Sequence, residues 1–268
     1  PENVHVFSTR TTESIEVPGT PVVIHGRGFP HRAVPENLAV GYPSAVPDKF
    51  NIGLLHTSLT GRVGHDTYAP CSQVDLAQKG YGYWALGHVH QPEVVNRNPW
   101  IVFAGNTQGR NAGETGPRGC RLVSVNDALE VEAVDWHALD VVRWRLLQID
   151  LTGVENESET LSRVTHAMSR AVEDAEGRLT AARIVFTGAT PLHGFLHRDF
   201  HRLRAEIVAR SQDQGEQAIW VERIKMATSP VYNLVRLAER DALTRIVLET
   251  LEQNRVDPEQ FPEDIKAM

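Results

Sequence analysis

Cysteine is scarce: 268 residues hold only Cys71 and Cys120, and neither belongs to a Cys-x-x-Cys pair. That excludes a disulfide framework and a zinc–thiolate site. No stretch approaches the ~20 consecutive apolar residues of a membrane span. The first residues show no basic region followed by an apolar one, so no signal peptide and no membrane contact are expected, and the cytoplasm is the expected location. Positive charge is also short, with 27 Lys and Arg against 34 Asp and Glu for a formal charge of -7. Such a chain does not coat nucleic acid non-specifically, although a local basic face remains open to it. Phosphate-cradling Gly-x-x-x-x-Gly-Lys and dinucleotide fingerprints are missing, as are internal repeats.

What is present reads as an α/β protein. Ile15–Val17 and Pro21–Ile24 flank Pro18-Gly19-Thr20 as a hairpin, with a further strand expected over Asn3–Phe7 and a loop from 27 to 49. Asn51–Thr57 is a short apolar run suited to a strand covered on both faces. Ser72 reads as the N-cap of a short helix ended by Gly80. Strands are expected over Trp84–Leu86, Trp100–Ala104, Cys120–Val125 and Leu129–Val134, the last two joined by a tight turn. From about residue 141 the order becomes β-α-β-α-β: strand Val141–Leu151, helix Glu157–Glu176, strand Ala182–Thr187, helix Gly194–Arg210, strand Ala218–Met226. An amphipathic helix over Arg240–Asn254 follows. Trp84, Trp136, Trp144 and Trp220 fall in strand patterns and read as core or rim packing.

The chemistry concentrates in histidine. His56 ends one buried-strand run, and Gly87-His88-Val89-His90 follows another, where open α/β sheets place their ligand sites, at the carboxyl ends of strands. Taken singly, a histidine is more often structural than a ligand; the spacing and context of these three are what suggest a metal. Two chemistries fit: a mononuclear site of three imidazoles and a water, as in zinc hydrolases, or one half of a two-metal site that clamps a phosphoester.

The ordered set Gly53-Leu54-Leu55-His56-Thr57, Ala85-Leu86-Gly87-His88-Val89-His90 and Ala104-Gly105-Asn106-Thr107-Gln108-Gly109-Arg110 resembles the second half of the calcineurin-like metallophosphoesterase fold, with the match nearest to DNA repair exonucleases of the SbcD and YhaO type. The resemblance implies the later half of an αββα sandwich over 1–140, a small α/β capping subdomain over 141–232 and a C-terminal helical segment over 233–268. It also implies two divalent metal ions, manganese first with zinc or iron as alternatives, His56 and His88 on one and His90 on the other. Asn106 and Arg110 then become expected contacts to the substrate phosphate, and His65, in a glycine-rich loop, an expected lining residue. DNA is the implied substrate and an SbcC-like ATPase an implied partner.

The family's first-half motifs, Asp-x-His, Gly-Asp and Gly-Asn-His-Asp, do not occur here as an ordered set. The expectation is therefore of a binuclear site whose remaining ligands, including the histidine that assists the leaving group, come from an N-terminal segment or a second chain. Two alternatives stand beside a DNA phosphodiesterase: a non-catalytic module that binds DNA or a partner ATPase, and a mononuclear zinc hydrolase. The helix at 194–210, with His193, His197, His201 and Arg204 near one stripe and Arg198 and Arg202 adjacent, reads either as a DNA backbone contact or as an ordinary solvated face.

Overall fold

The computed structural model describes residues 4–29, 31, 34–59, 68–231, 245–246 and 250. Among the described residues it confirms a mixed α/β chain with three sheets. The chain divides into two compact units, one of Pro1–Leu147, Ala167–Ile184 and Val208–Arg223, the other of Gln148–His166, Val185–Ile207 and Ile224–Met268.

Six strands, β1 (Glu13–Glu16), β2 (Val22–Gly26), β3 (Phe50–His56), β4 (Tyr83–Gly87), β5 (Glu93–Arg97) and β6 (Trp100–Phe103), form one sheet in the order β1-β2-β3-β4-β6-β5. The four central strands run parallel, and β1 and β5 pair antiparallel at the edges. Parallel strands covered on both faces are expected to be continuously apolar, which is how β3, β4 and β6 read. On one face Trp84, Ile101 and Phe103 are fully buried, under Leu38 and Ala39 of a 3-10 turn and Leu76 of α1 (Gln73–Ala77). The other face carries Phe50, Tyr83 and Val102 beneath Val123, Val131 and Val134 of a two-stranded sheet, β7 (Gly119–Val125) and β8 (Val131–Ala138).

Helix α1 begins where its cap demands. The Ser72 side chain accepts from Asp75 N at 3.1 Å while the Asp75 carboxylate accepts from Ser72 N at 2.7 Å, a reciprocal capping box. Two local expectations change. Residues 4–7 form no strand; Val4 and Val6 are exposed, so their alternation has no face to bury. Strand β5 carried no sequence signal, because its Glu, Asn and Arg hide the alternation that its edge position does not require.

The remaining described elements are β9 (Val142–Asp150), α2 (Glu157–Glu173), β10 (Leu179–Ala189), α3 (His193–Arg198), α4 (Phe200–Gln212) and β11 (Ile219–Ser229), with sheet order β11-β10-β9. Leu151 N donates to Thr187 O and Gly153 N to Ala189 O, the equal advance of parallel strands. The single helix expected over Gly194–Arg210 is two, broken at Asp199, whose ψ of 22° leaves the helical region. Its apolar stripe survives the break, since Leu196, Leu203 and Ile207 are fully buried. The helical segment expected over 233–268 lies outside the described residues except at 245–246 and 250, which are helical. Among the described residues no helix is long and apolar enough to cross a membrane.

Candidate metal and phosphate site

Strands β3 and β4 are parallel neighbours in which His56 stands opposite Gly87, so both deliver histidine at the same carboxyl edge. The His56 and His88 rings lie 5.2 Å apart, edge to face. Phe29 packs on His56 at 5.1 Å and Tyr68 on His88 at 4.8 Å. Gly87 permits this approach: a Cβ there would sit 3.0 Å from His56 Nδ1. His88 itself has φ +100°, a conformation that a non-glycine residue holds only under constraint from its surroundings and that clusters at functional sites. Burial first, and then the nearby His90, hold the His56 imidazole below its ordinary pKa and favour the neutral form that a metal ligand needs.

His90 turns to a different set of groups. Its Nδ1 lies 2.8 Å from Glu114 Oε1 and 2.9 Å from Arg110 Nη2. Glu114 also accepts from Asn106 Nδ2 at 2.7 Å, from Arg110 N at 3.0 Å and from the Arg110 guanidinium at 3.1 and 3.2 Å. Burial works to raise the Glu114 pKa, but hydrogen bonds from His90, Arg110 and Asn106 outweigh it and bring it down to about 2. The carboxylate is therefore ionised at neutral pH. The carboxylate can only accept and calls for a proton on His90 Nδ1, whereas Arg110 Nη2 can only donate and calls for a lone pair on the same nitrogen, so the two contacts oppose each other in setting the tautomer. Buried Arg118 completes the scaffold by donating to His90 O and, at 3.1 Å, to Thr115 O. Gly105, at φ +76°, is needed here because a Cβ would fall 2.8 Å from His90 O.

Sequence reasoning thus found the loop but missed its centre. Glu114 carried no motif; its only signal was a carboxylate four residues after Arg110, and Arg118 had none. Asn106 and Arg110, the expected phosphate contacts, are both held by Glu114. His65 lies outside the described residues. Arg198 is paired with Asp199 at 3.4 Å and Arg202 with Glu157 at 2.8 Å, so the basic stripe is partly neutralised by acids of its own unit.

The donors suit a divalent metal in kind. A histidine whose Nδ1 faces a carboxylate is the usual arrangement of an imidazole ligand, which then offers Nε2. In number they fall short, since among the described residues no group of three or more His, Cys, Asp or Glu side chains converges on one metal position. His56 and His88 pair, and His90 stands with Glu114. A three-imidazole mononuclear centre is not assembled from these side chains.

Comparison with known proteins gives two likenesses. Residues 144–229 match the family described as metallophosphoesterase YhaO, middle domain. Over 243 residues, 88% of the chain, it is 32% identical to the uncharacterized metallophosphoesterase YhaO of Bacillus subtilis (strain 168), and the match spans 58% of that relative's length. By these likenesses the chain is similar to metallophosphoesterases of the YhaO kind, over a little more than half of that relative's length.

Proposed function

We propose that this chain supplies the histidine side of a two-metal phosphodiesterase that acts on DNA in the cytoplasm, with manganese as the activating metal and an SbcC-like ATPase as partner. The observation that carries the reading is the delivery of His56 and His88 to one edge by adjacent parallel strands, 5.2 Å apart, with His90 oriented beside them. In this reading His56 and His88 hold one metal and His90 the other. When bound, the metals would supply polarisation of the phosphoester and a water of lowered pKa. The protein's own task is to fix imidazole positions, and Arg110 exchanges Glu114 for a substrate phosphate. Residues 141–232 act as a capping subdomain.

The test is cleavage of a labelled DNA by the full-length protein with manganese, beside metal stoichiometry by mass spectrometry. His88→Ala is expected to lower bound manganese and abolish cleavage. Full cleavage by that variant refutes the proposal. A folded wild-type protein that retains no metal and cuts no DNA moves the assignment to a non-catalytic binding module, a reading favoured by the Glu114 contacts that already occupy Asn106, Arg110 and His90.

A further inference from the structure

Trp144 on β9 and Trp220 on β11 meet across β10 with ring centroids 6.3 Å apart at 65°. Thr180 Oγ1 on β10 donates to Ala171 O at the end of α2, which marks the helix side of that strand. Alternation then turns Ala181 and Arg183 to the opposite side. Ala181 is fully buried, yet Trp220 is 54% exposed. A parallel sheet is ordinarily covered on both faces, and a tryptophan is among the costliest side chains to leave in water.

Trp144 is not free to move. Its Nε1 donates to Gly109 O at 2.9 Å, one residue from Arg110, so the indole is tied to the loop that holds the expected phosphate contact. Trp220 is tied to nothing comparable and offers its ring to solvent. Beside it Glu222 binds Arg183 through two bonds of 2.8 and 2.9 Å and meets Arg223 at 3.8 Å. Two guanidinium groups thus share one carboxylate, and the Arg223 side chain is 60% exposed. An exposed indole with surplus positive charge next to it matches an unpaired base followed by its phosphate, since every base has a face to stack and every linkage a charge to neutralise. A paired base keeps its faces within the duplex stack.

We infer that the Trp144–Trp220 face binds single-stranded DNA, with one unpaired base stacked on Trp220 and the adjoining phosphate on Arg183 and Arg223. The inference rests on the DNA reading above for the identity of the polymer, and it names the form of DNA that is held.

The experiment is fluorescence anisotropy of a labelled oligothymidylate with the full-length protein in a chelator, so that neither metal nor cleavage enters, with intrinsic tryptophan fluorescence followed in parallel. Trp220→Ala is expected to weaken binding about tenfold and remove most of the quenching, Trp220→Phe to stay within about threefold of wild type, the range of one base–aromatic stack. An abasic strand of equal length should bind wild type as weakly as oligothymidylate binds the alanine variant. Equal binding of oligothymidylate by wild type and Trp220→Ala overturns the proposal and leaves the face to a protein partner. Equal binding of abasic and thymidine strands by wild type overturns it as well. A protein that cuts DNA while Trp220→Ala binds normally refutes this proposal alone, and one that stacks a base without cutting refutes the catalytic reading alone.

Discussion

Asp140→Ala removes one half of a buried ion pair whose cost follows from its geometry. Arg143 Nε and Nη2 meet the two Asp140 oxygens at 2.9 and 3.0 Å, and the side chains are 2% and 0% exposed. Burial works to raise the Asp140 pKa, but the bonds from Arg143, the Arg118 backbone and the nearby Arg178 prevail and hold it below the ordinary value. Stripping one partner from such a pair costs about 3–5 kcal/mol, because the other charge is left buried. Arg143 keeps Asp174 O and Glu176, each at 3.3 Å, as partial substitutes, so the expected loss is about 3 kcal/mol. The double variant Asp140→Ala, Arg143→Met buries no charge and should lose much less. Urea unfolding with linear extrapolation measures both. A loss below about 1 kcal/mol in the single variant, or equal losses in single and double variants, refutes the reasoning. The pH dependence has a fixed sign. With its folded pKa depressed, Asp140 contributes stability above the ordinary carboxylate range, and that contribution disappears as pH falls below it through the folded pKa. Acid sensitivity in that window should therefore shrink in the double variant.

Three further outcomes are expected. Glu114→Ala leaves Arg110, Asn106 and His90 without their common acceptor; manganese titration by calorimetry should show affinity reduced by about 10- to 100-fold, as when an outer-shell partner of a metal-bound histidine is lost, and unchanged affinity would remove Glu114 from that role. Gly105→Ala places a Cβ against His90 O in a backbone conformation unfavourable to alanine, so thermal unfolding should show a loss above about 1 kcal/mol. Ser72→Ala breaks the capping box of α1 and should cost about 1 kcal/mol in urea, with manganese binding untouched because the cap contacts none of the site residues.

The sequence by itself determined the central strands and most of the helices. Short continuous apolar runs bounded by turn residues suit strands covered on both faces, and Ser72 with Asp75 three residues on marks a helix start. It suggested that His56, His88 and His90 could converge at one sheet edge, since they end or follow buried strands, but the pairing of β3 with β4 that brings His56 and His88 together is tertiary. Tertiary structure alone decided the rest. His88 and His90, two residues apart, have different surroundings: His88 has a positive φ, and Glu114, 24 residues from His90, meets it through the loop that Gly105 and Arg118 shape. The break at Asp199 and the exposure of Trp220 were equally hidden, since periodicity tells which face of an element is apolar but not whether another layer arrives to cover it. Local pattern fixes where a side chain can point; packing between distant segments fixes what it meets there.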